Sequence, residues 1–207
     1  LWKKAEAGVL AFLPMDTIVQ RFQPPFDTEA WVRKVSEEDV NCFISAGGDG
    51  SVNFLLNALL NAKKTAAKTC FIGGIGLGSS NDFLKPYGRK LAGLHVRLDA
   101  QTSRMSDVAH VVFKQETGPI IQRIFIVNSG LGVTAAANYR FNNAGFVLKI
   151  LKRYWTDGAI FWVALRSILA SSNLPVHLIR DNAELDVVLS NIAVLKNPHV
   201  SGNFKYD

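Results

Sequence analysis

Two short stretches of this chain have residue types suited to holding phosphate. The first is Gly47-Gly48-Asp49-Gly50-Ser51, set between the apolar run Val40 to Ala46 and a segment where Val52, Leu55, Leu56, Leu59 and Leu60 recur at helical spacing. Strand, glycine turn and amphipathic helix, in that order, bring the free amides of a helix N-terminus to one point, where the helix dipole attracts anions. Glycines there let a phosphate approach the backbone closely. Ser51 adds a hydroxyl donor. Asp49 repels phosphate unless it meets a metal ion or a hydroxyl, so it suggests a ribose contact or indirect Mg²⁺ work. A plain strand-to-helix turn is the bland reading. Glycines alone are a weak signal, but the ordered combination favours binding.

The second stretch is Gly76-Leu77-Gly78-Ser79-Ser80-Asn81-Asp82-Phe83, which follows the apolar run Thr69 to Gly73. It should leave the sheet at the same carboxyl edge as the first, where ligands of open α/β sheets bind. Ser79, Ser80 and Asn81 offer hydrogen bonds, and Asp82 offers a carboxylate. The competing role is a helix cap, with Ser80, Asn81 or Asp82 starting a helix through Phe83 and Leu84. Two polar glycine loops on one edge favour a shared ligand. The chain has no Gly-x-x-x-x-Gly-Lys-Ser/Thr pattern, and its first loop is not a Gly-x-Gly-x-x-Gly turn.

Several further elements must position these loops. Leu1 to Leu13 reads as a helix with Trp2, Ala5, Val9 and Phe12 on one side, ended by Pro14. Thr17 to Phe22 reads as a strand, and Pro24-Pro25 as a break. Asp27 or Thr28 caps a helix through Trp31 and Val35. Strand alternating with helix implies a parallel, layered α/β sheet. From about Val108 the pattern turns to strands, at Val108–Phe113, Ile120–Asn128, Pro175–Arg180, Glu184–Leu189 and Ile192–Leu195. A helical block, about Gly145 to Ser171, interrupts them. Its Trp155, Phe161 and Trp162 could wall a lipid cleft, but core packing is the expected role for most of them. Lys149, Lys152, Arg153 and Arg166 could face anionic lipid or form a solvated helix face.

The 207 residues are 48% hydrophobic and 19% charged, which suits a folded chain of one or two domains and argues against disorder. The net charge of +6 favours anionic partners, whether nucleotide phosphates, lipid surfaces or nucleic acid, without choosing among them. Cys42 and Cys70 lie in apolar runs, so buried, unpaired thiols of a cytosolic protein are expected. His95, His110, His177 and His199 are scattered, and no Cys/His cluster has the spacing of a metal site. The apolar stretch Trp155 to Leu169 is broken by Asp157, Gly158 and Arg166 and is too short to span a bilayer.

At the two loops the sequence resembles the catalytic domain family of diacylglycerol kinases, which includes sphingosine and ceramide kinases and bacterial lipid kinases. That family's Gly-Gly-Asp-Gly-Thr-x-Asn stands here as Gly47-Gly48-Asp49-Gly50-Ser51-Val52-Asn53. Its Gly-Thr-Gly-Asn-Asp-Phe stands as Gly78-Ser79-Ser80-Asn81-Asp82-Phe83. Softer echoes are Arg104 to Val108, Phe125 to Gly132, and Ser190 to Phe204 with Asn197 and Gly202. The resemblance implies an NAD-kinase/diacylglycerol-kinase-like α/β nucleotide-binding domain over 1–107. A mainly β, sandwich-like domain with a helical insertion would follow over 108–207, and it is expected to be incomplete. It implies ATP as phosphoryl donor, Mg²⁺ as helper and a lipid hydroxyl, diacylglycerol or sphingoid-like, as acceptor.

Carried over by motif, Gly47, Gly48, Asp49, Gly50, Ser51 and Asn53 would hold ATP, with Gly78, Ser79, Ser80, Asn81 and Asp82. Asp82 and Asp107 would supply charge near the cleft. Ser51 and Ser79 replace threonines and keep the hydroxyl, while Ser80 replaces a glycine and crowds the loop. The family's opening Asn-Pro-x-x-Gly segment is absent. Its Asp-Gly general base is expected beyond Asp207, and no metal-ligating set is identifiable. The resemblance points to a cytoplasmic enzyme with a lipid substrate and peripheral membrane contact. It allows a homodimer and implies no nucleic-acid partner. Two alternatives stand beside it. One is an NAD-kinase-like enzyme, because that family shares the Gly-Gly-Asp-Gly loop. The other is a regulatory protein that binds nucleotide or lipid at a degenerate site. The Ser-Ser-Asn-Asp-Phe loop argues for the lipid branch.

Overall fold

A computed structural model describes residues 2–22, 27–38, 40–62, 70–114, 117–143, 145–200 and 204–206. Contacts divide the chain into two compact units, Leu1–Val127 with Lys196–Asp207, and Asn128–Leu195. The change of unit therefore does not fall at the 107/108 boundary expected from the sequence. The ladder formed by 109–125 belongs to the first unit.

The first unit is built on strand β1 (Cys42–Gly47) and strand β2 (Phe71–Gly76), paired in parallel with Gly47 opposite Gly76. Strand β4 (Leu94–Arg97) adds antiparallel to β2, and β3 (Lys90–Leu91) adds antiparallel to β4. The sheet order is β1-β2-β4-β3, so only one of its pairs is parallel, where the sequence suggested a parallel sheet throughout. The reason is local. Between β2 and β4 stands a single 3₁₀ turn, Asp82–Leu84, too short for the crossover that a parallel strand needs.

Helices cover both faces of this sheet. Successive strand residues point to opposite faces. Phe43 of β1 packs in a cluster with Val32 and Val35 of helix α2 (Thr28–Glu37) and with Leu55, Ala58 and Leu59 of helix α3 (Asp49–Ala62). Its neighbour Ile44 packs with Ala5 and Val9 of helix α1 (Trp2–Leu10), and with Ile75, Leu94 and Val96. A fully buried aliphatic or aromatic side chain contributes about 1.5–3 kcal/mol. These two clusters therefore hold β1, β2 and α3 as one rigid frame beneath the loops.

Asp27 caps α2 as expected, its carboxylate accepting from the Ala30 amide at 2.9 Å. Thr17 to Phe22 carries no regular structure; Ile18, Val19 and Phe22 are exposed, and Phe22 turns edge-on to Trp31. The expected strand finds no partner among the described residues. The Pro24-Pro25 break and Thr69 lie outside the described residues. Cys42 is exposed and Cys70 half-buried, contrary to the expected buried thiols; Cys42 opens β1, the edge strand of the sheet.

Strands β5 (Ala109–Lys114) and β6 (Ile120–Phe125) form an antiparallel hairpin. Asn57 of α3 ties it to the frame: its side-chain amide donates to the Ile124 carbonyl at 2.7 Å, and its carbonyl accepts the Ile124 amide at 3.0 Å.

The second unit begins with β7 (Asn128–Gly132), which pairs antiparallel with β10 (Asn191–Leu195). Helices α4 (Val133–Asn142), α5 (Phe146–Tyr154) and α6 (Thr156–Leu169) follow β7. Then β8 (Leu174–Arg180) and β9 (Ala183–Leu189) form a long hairpin. Asn191 anchors the start of α4, accepting from both the amide and the hydroxyl of Thr134. The short pair β11 (His199–Val200) and β12 (Phe204–Lys205) returns to the first unit. No described helix is long and apolar enough to cross a membrane.

Candidate functional site

The two glycine loops meet. Gly47 ends β1 opposite Gly76 of β2, so both loops leave at the same rim of the parallel pair. The Leu77 amide donates to the Gly47 carbonyl at 3.0 Å. Gly48 and Gly78 stand backbone to backbone. A Cβ on Gly78 would lie 2.5 Å from the Gly48 Cα, and one on Gly48 would lie 3.1 Å from the Gly78 Cα. Glycine at both places is a packing requirement. A Cβ on Gly47 would strike the Ser51 side chain at 2.4 Å, so Gly47 leaves room for that hydroxyl. The Ser51 and Val52 amides turn back onto the Gly48 carbonyl and start α3. Helical geometry leaves the first-turn amides of Asp49 and Gly50 without an intrahelical acceptor, at the positive end of a 14-residue dipole.

Asp49 is used inside the protein. Its Oδ1 accepts the Phe83 amide at 2.8 Å and ties the first loop to the end of the second. Asn81 has the same kind of duty. Its backbone is left-handed, at φ 53° and ψ 43°. Its Oδ1 accepts the Gly78 amide and its Nδ2 donates to the Gly78 carbonyl, both at 2.9 Å. Asn81 thus folds the turn onto itself, and its side chain does not cap the 3₁₀ turn that follows. The seam between the loops, bounded by Gly48, Asp49, Asn81 and Phe83, is packed too closely to hold a water molecule. A ligand would lie on the outer rim, where Gly50, Ser51 and Ser79 are exposed.

Asp82 is buried and pairs with Lys85, Nζ to Oδ1 at 2.7 Å, with only 4% and 6% of the two side chains exposed. Asn197 reaches in from the chain's later return and donates to the Asp82 carbonyl at 2.7 Å. Lys85 Nζ lies 5.4 Å from the centre of the Tyr87 ring, and that ring stacks on His95 at 3.8 Å. The Tyr87 hydroxyl donates to the Ser80 carbonyl at 3.0 Å. Burial, with the charge of Lys90 beside it, holds the His95 pKa below its ordinary 6.5. Lys85, Tyr87 and His95 were not singled out as site residues from the sequence, although Asp82 and Lys85 stand at an i, i+3 spacing that pairs readily.

Of the remaining expected site residues, Asn53 lies on α3 with its Oδ1 buried and without a hydrogen-bond partner. Ser80 is half-buried. Asp107 lies in an exposed segment without regular structure, and nothing described joins it to the loops. Among the described residues no three His, Cys, Asp or Glu side chains converge as metal ligands do.

The rim and its frame define a mixed α/β unit with two glycine loops at the end of a parallel strand pair. The family model of the diacylglycerol kinase catalytic domain matches residues 5–111, and this chain belongs to that family of kinases. No curated protein matches the chain at a significant level.

Proposed function

We propose that this chain is the nucleotide-binding part of an ATP-dependent lipid kinase, with the triphosphate gripped on the rim formed by the two glycine loops. The observation that carries the reading is the contact of Gly48 with Gly78 beside the free first-turn amides of α3. The Asp49 and Gly50 amides offer two donors at the start of α3, and the Ser51 hydroxyl offers a third. The glycine approach removes the side chains that would hold a phosphate away. Ser79, exposed on the second loop, lies at the same rim. Asp49, Asn81 and the Asp82–Lys85 pair hold the second loop in place for it.

ATP would supply the γ-phosphoryl group, passed to a diacylglycerol or sphingoid-like hydroxyl. The residues present fit a phosphate. Among the described residues no carboxylate cage for Mg²⁺ comes together; Asp49 Oδ1 accepts the Phe83 amide and Asp82 Oδ1 faces Lys85. Catalysis of this kind rests on positioning and charge neutralisation, and the rim supplies the positioning. An assay of radiolabelled ATP with diacylglycerol, sphingosine and NAD as acceptors tests the reading. Label in lipid supports it. Label in NAD moves the chain to the NAD-kinase-like alternative, and nucleotide binding without transfer makes it a regulatory binder. Absence of any nucleotide binding defeats the proposal.

A further inference from the structure

Trp155, Phe161 and Trp162 are exposed, against the core role expected for most of them; the interior of α6 is filled by Ala159, Val163 and Ser167. Tyr87 is also an open aromatic, with 43% of its surface exposed, but its surroundings give it a task. It lies just after the second glycine loop, and its ring is seated on a fixed platform. His95 stacks on it at 3.8 Å with the two planes 17° apart. His95 belongs to β4, opposite Lys90 of β3, and β4 is hydrogen-bonded to β2. The His95 Nδ1 is buried without a hydrogen-bond partner among the described residues, so it is the stack that holds the ring there. Lys85 Nζ stands 5.4 Å from the centre of the Tyr87 ring, within cation–π range. The same Nζ is paired with Asp82.

Two parts of the second loop therefore meet at one ring. Asp82 reaches it through the Lys85 ammonium, and Ser80 through the Tyr87 hydroxyl, which donates to the Ser80 carbonyl at 3.0 Å. The second bond has a particular place in the chain. The Ser80 carbonyl belongs to the peptide that enters Asn81, whose backbone is left-handed at φ 53°. A residue with a side chain holds that conformation at a cost, and keeps it where its surroundings fix it. The Asn81 side chain does part of this by closing on Gly78 in both directions. The Tyr87 hydroxyl adds to it by fixing the plane of the peptide before Asn81. Immediately before Ser80 comes Ser79, the exposed hydroxyl of this loop at the phosphate rim. A bond that fixes the Ser80–Asn81 peptide therefore also fixes the direction from which Ser79 is presented.

We infer that Tyr87, seated on His95, is a positioning residue for the nucleotide: its hydroxyl holds the Ser80–Asn81 peptide so that Ser79 stays at the phosphate rim. The inference rests on the nucleotide reading of that rim, and its test separates the two. In the full chain, Tyr87→Phe keeps the ring and removes the hydroxyl. Hydrogen exchange measured without nucleotide should then speed up about fivefold at the Gly78 amide, which donates to Asn81, as expected for the loss of one hydrogen bond. The Ile124 amide, bonded to Asn57 away from the loop, should keep the parent rate. The dissociation constant for ATP, measured by calorimetry, should rise by a similar factor. His95→Ala removes the platform and should reproduce both changes, whereas His95→Phe keeps a ring in the stack and should match the parent in both. Parent-like exchange and affinity in Tyr87→Phe would overturn the inference. So would equal acceleration at Gly78 and Ile124, since the hydroxyl would then serve the whole fold and not the loop. Faster exchange at Gly78 with unchanged ATP affinity would overturn it too, and would leave the nucleotide reading standing. A parent chain that binds no ATP defeats that reading and this inference together.

Discussion

The two glycine loops look alike in sequence and are built differently. In the first, Gly47 to Ser51, the Asp49 and Gly50 amides and the Ser51 hydroxyl are left outward, and only the Asp49 carboxylate turns in, to the Phe83 amide. In the second, Gly76 to Phe83, most polar groups are turned inward and Ser79 stays exposed. Asn81 closes on the Gly78 backbone, the Phe83 amide goes to Asp49, and Asp82 is buried against Lys85. One loop offers donors and the other positions them. A polar residue in a phosphate-binding motif is therefore not evidence of ligand contact by itself. Its hydrogen-bond partners decide which of the two duties it has.

The sharpest way to break this contrast is at the buried pair of the second loop. Lys85→Met removes the ammonium that Asp82 faces at 2.7 Å, and the chain should lose about 3–5 kcal/mol in chemical denaturation. Combining it with Asp82→Leu should recover most of that loss, since an apolar pair of similar volume is often neutral. If the single variant is as stable as the parent, the second loop does not depend on this pair.

Next in size is the glycine contact. Gly78→Ala pushes a methyl against the Gly48 backbone and should cost about 1–3 kcal/mol, with a loss of ATP affinity measured by calorimetry. Gly50→Ala meets nothing within 4 Å and should leave stability within about 1 kcal/mol of the parent. Equal effects at the two positions would erase the difference between a packing glycine and a merely flexible one.

Asp49 allows a finer cut. Asp49→Ala removes the acceptor for the Phe83 amide and should cost about 1–3 kcal/mol. Asp49→Asn keeps an acceptor oxygen and should retain most of the stability. If ATP affinity then falls in the Asn variant, the charge has a duty toward the ligand beyond the tie to Phe83. If affinity follows stability in both variants, Asp49 acts only as a tie.

How much of this was readable beforehand can be judged residue by residue. The frame was legible because its signals are local: an apolar run into glycines at β1, three- and four-residue spacing in α3, and an Asp cap at α2. The shared rim was legible from loop order alone. The inward duties of Asp49 and Asn81 were not: Asp49 meets an amide 34 residues away, and Asn81 closes on Gly78 through a left-handed turn that its residue type alone does not dictate. Lys85 escaped because lysine is normally solvated, and its burial against Asp82 follows from the fold. The β3–β4 hairpin was passed over although Leu94 and Val96 alternate inward and Ala92-Gly93 turns through positive φ. Helix α4 lacks a buried apolar face, so periodicity could not announce it. Thr17 to Phe22 failed in the opposite sense: its β-forming residues pair with no strand among the described residues.

The smallest expected effect lies behind the second loop, at His95. Its folded pKa is below 6.5, so the unfolded chain takes up the proton first as pH falls. Stability is therefore untouched above about 6.5 and declines below it. His95→Phe should keep the stack on Tyr87 and lessen the decline between pH 7 and pH 5, followed by thermal melts. An identical pH dependence in parent and variant would remove His95 from this role.

The central claim is that the outward amides of the first loop receive the phosphates while the second loop keeps its own amides occupied. Amide resonances followed by NMR during titration with ATP test it directly. The account requires the largest shifts at Asp49, Gly50 and Ser51, with the Gly78 and Phe83 amides still bonded to Asn81 and Asp49. Shifts concentrated away from this rim, or none at saturating ATP, would contradict it.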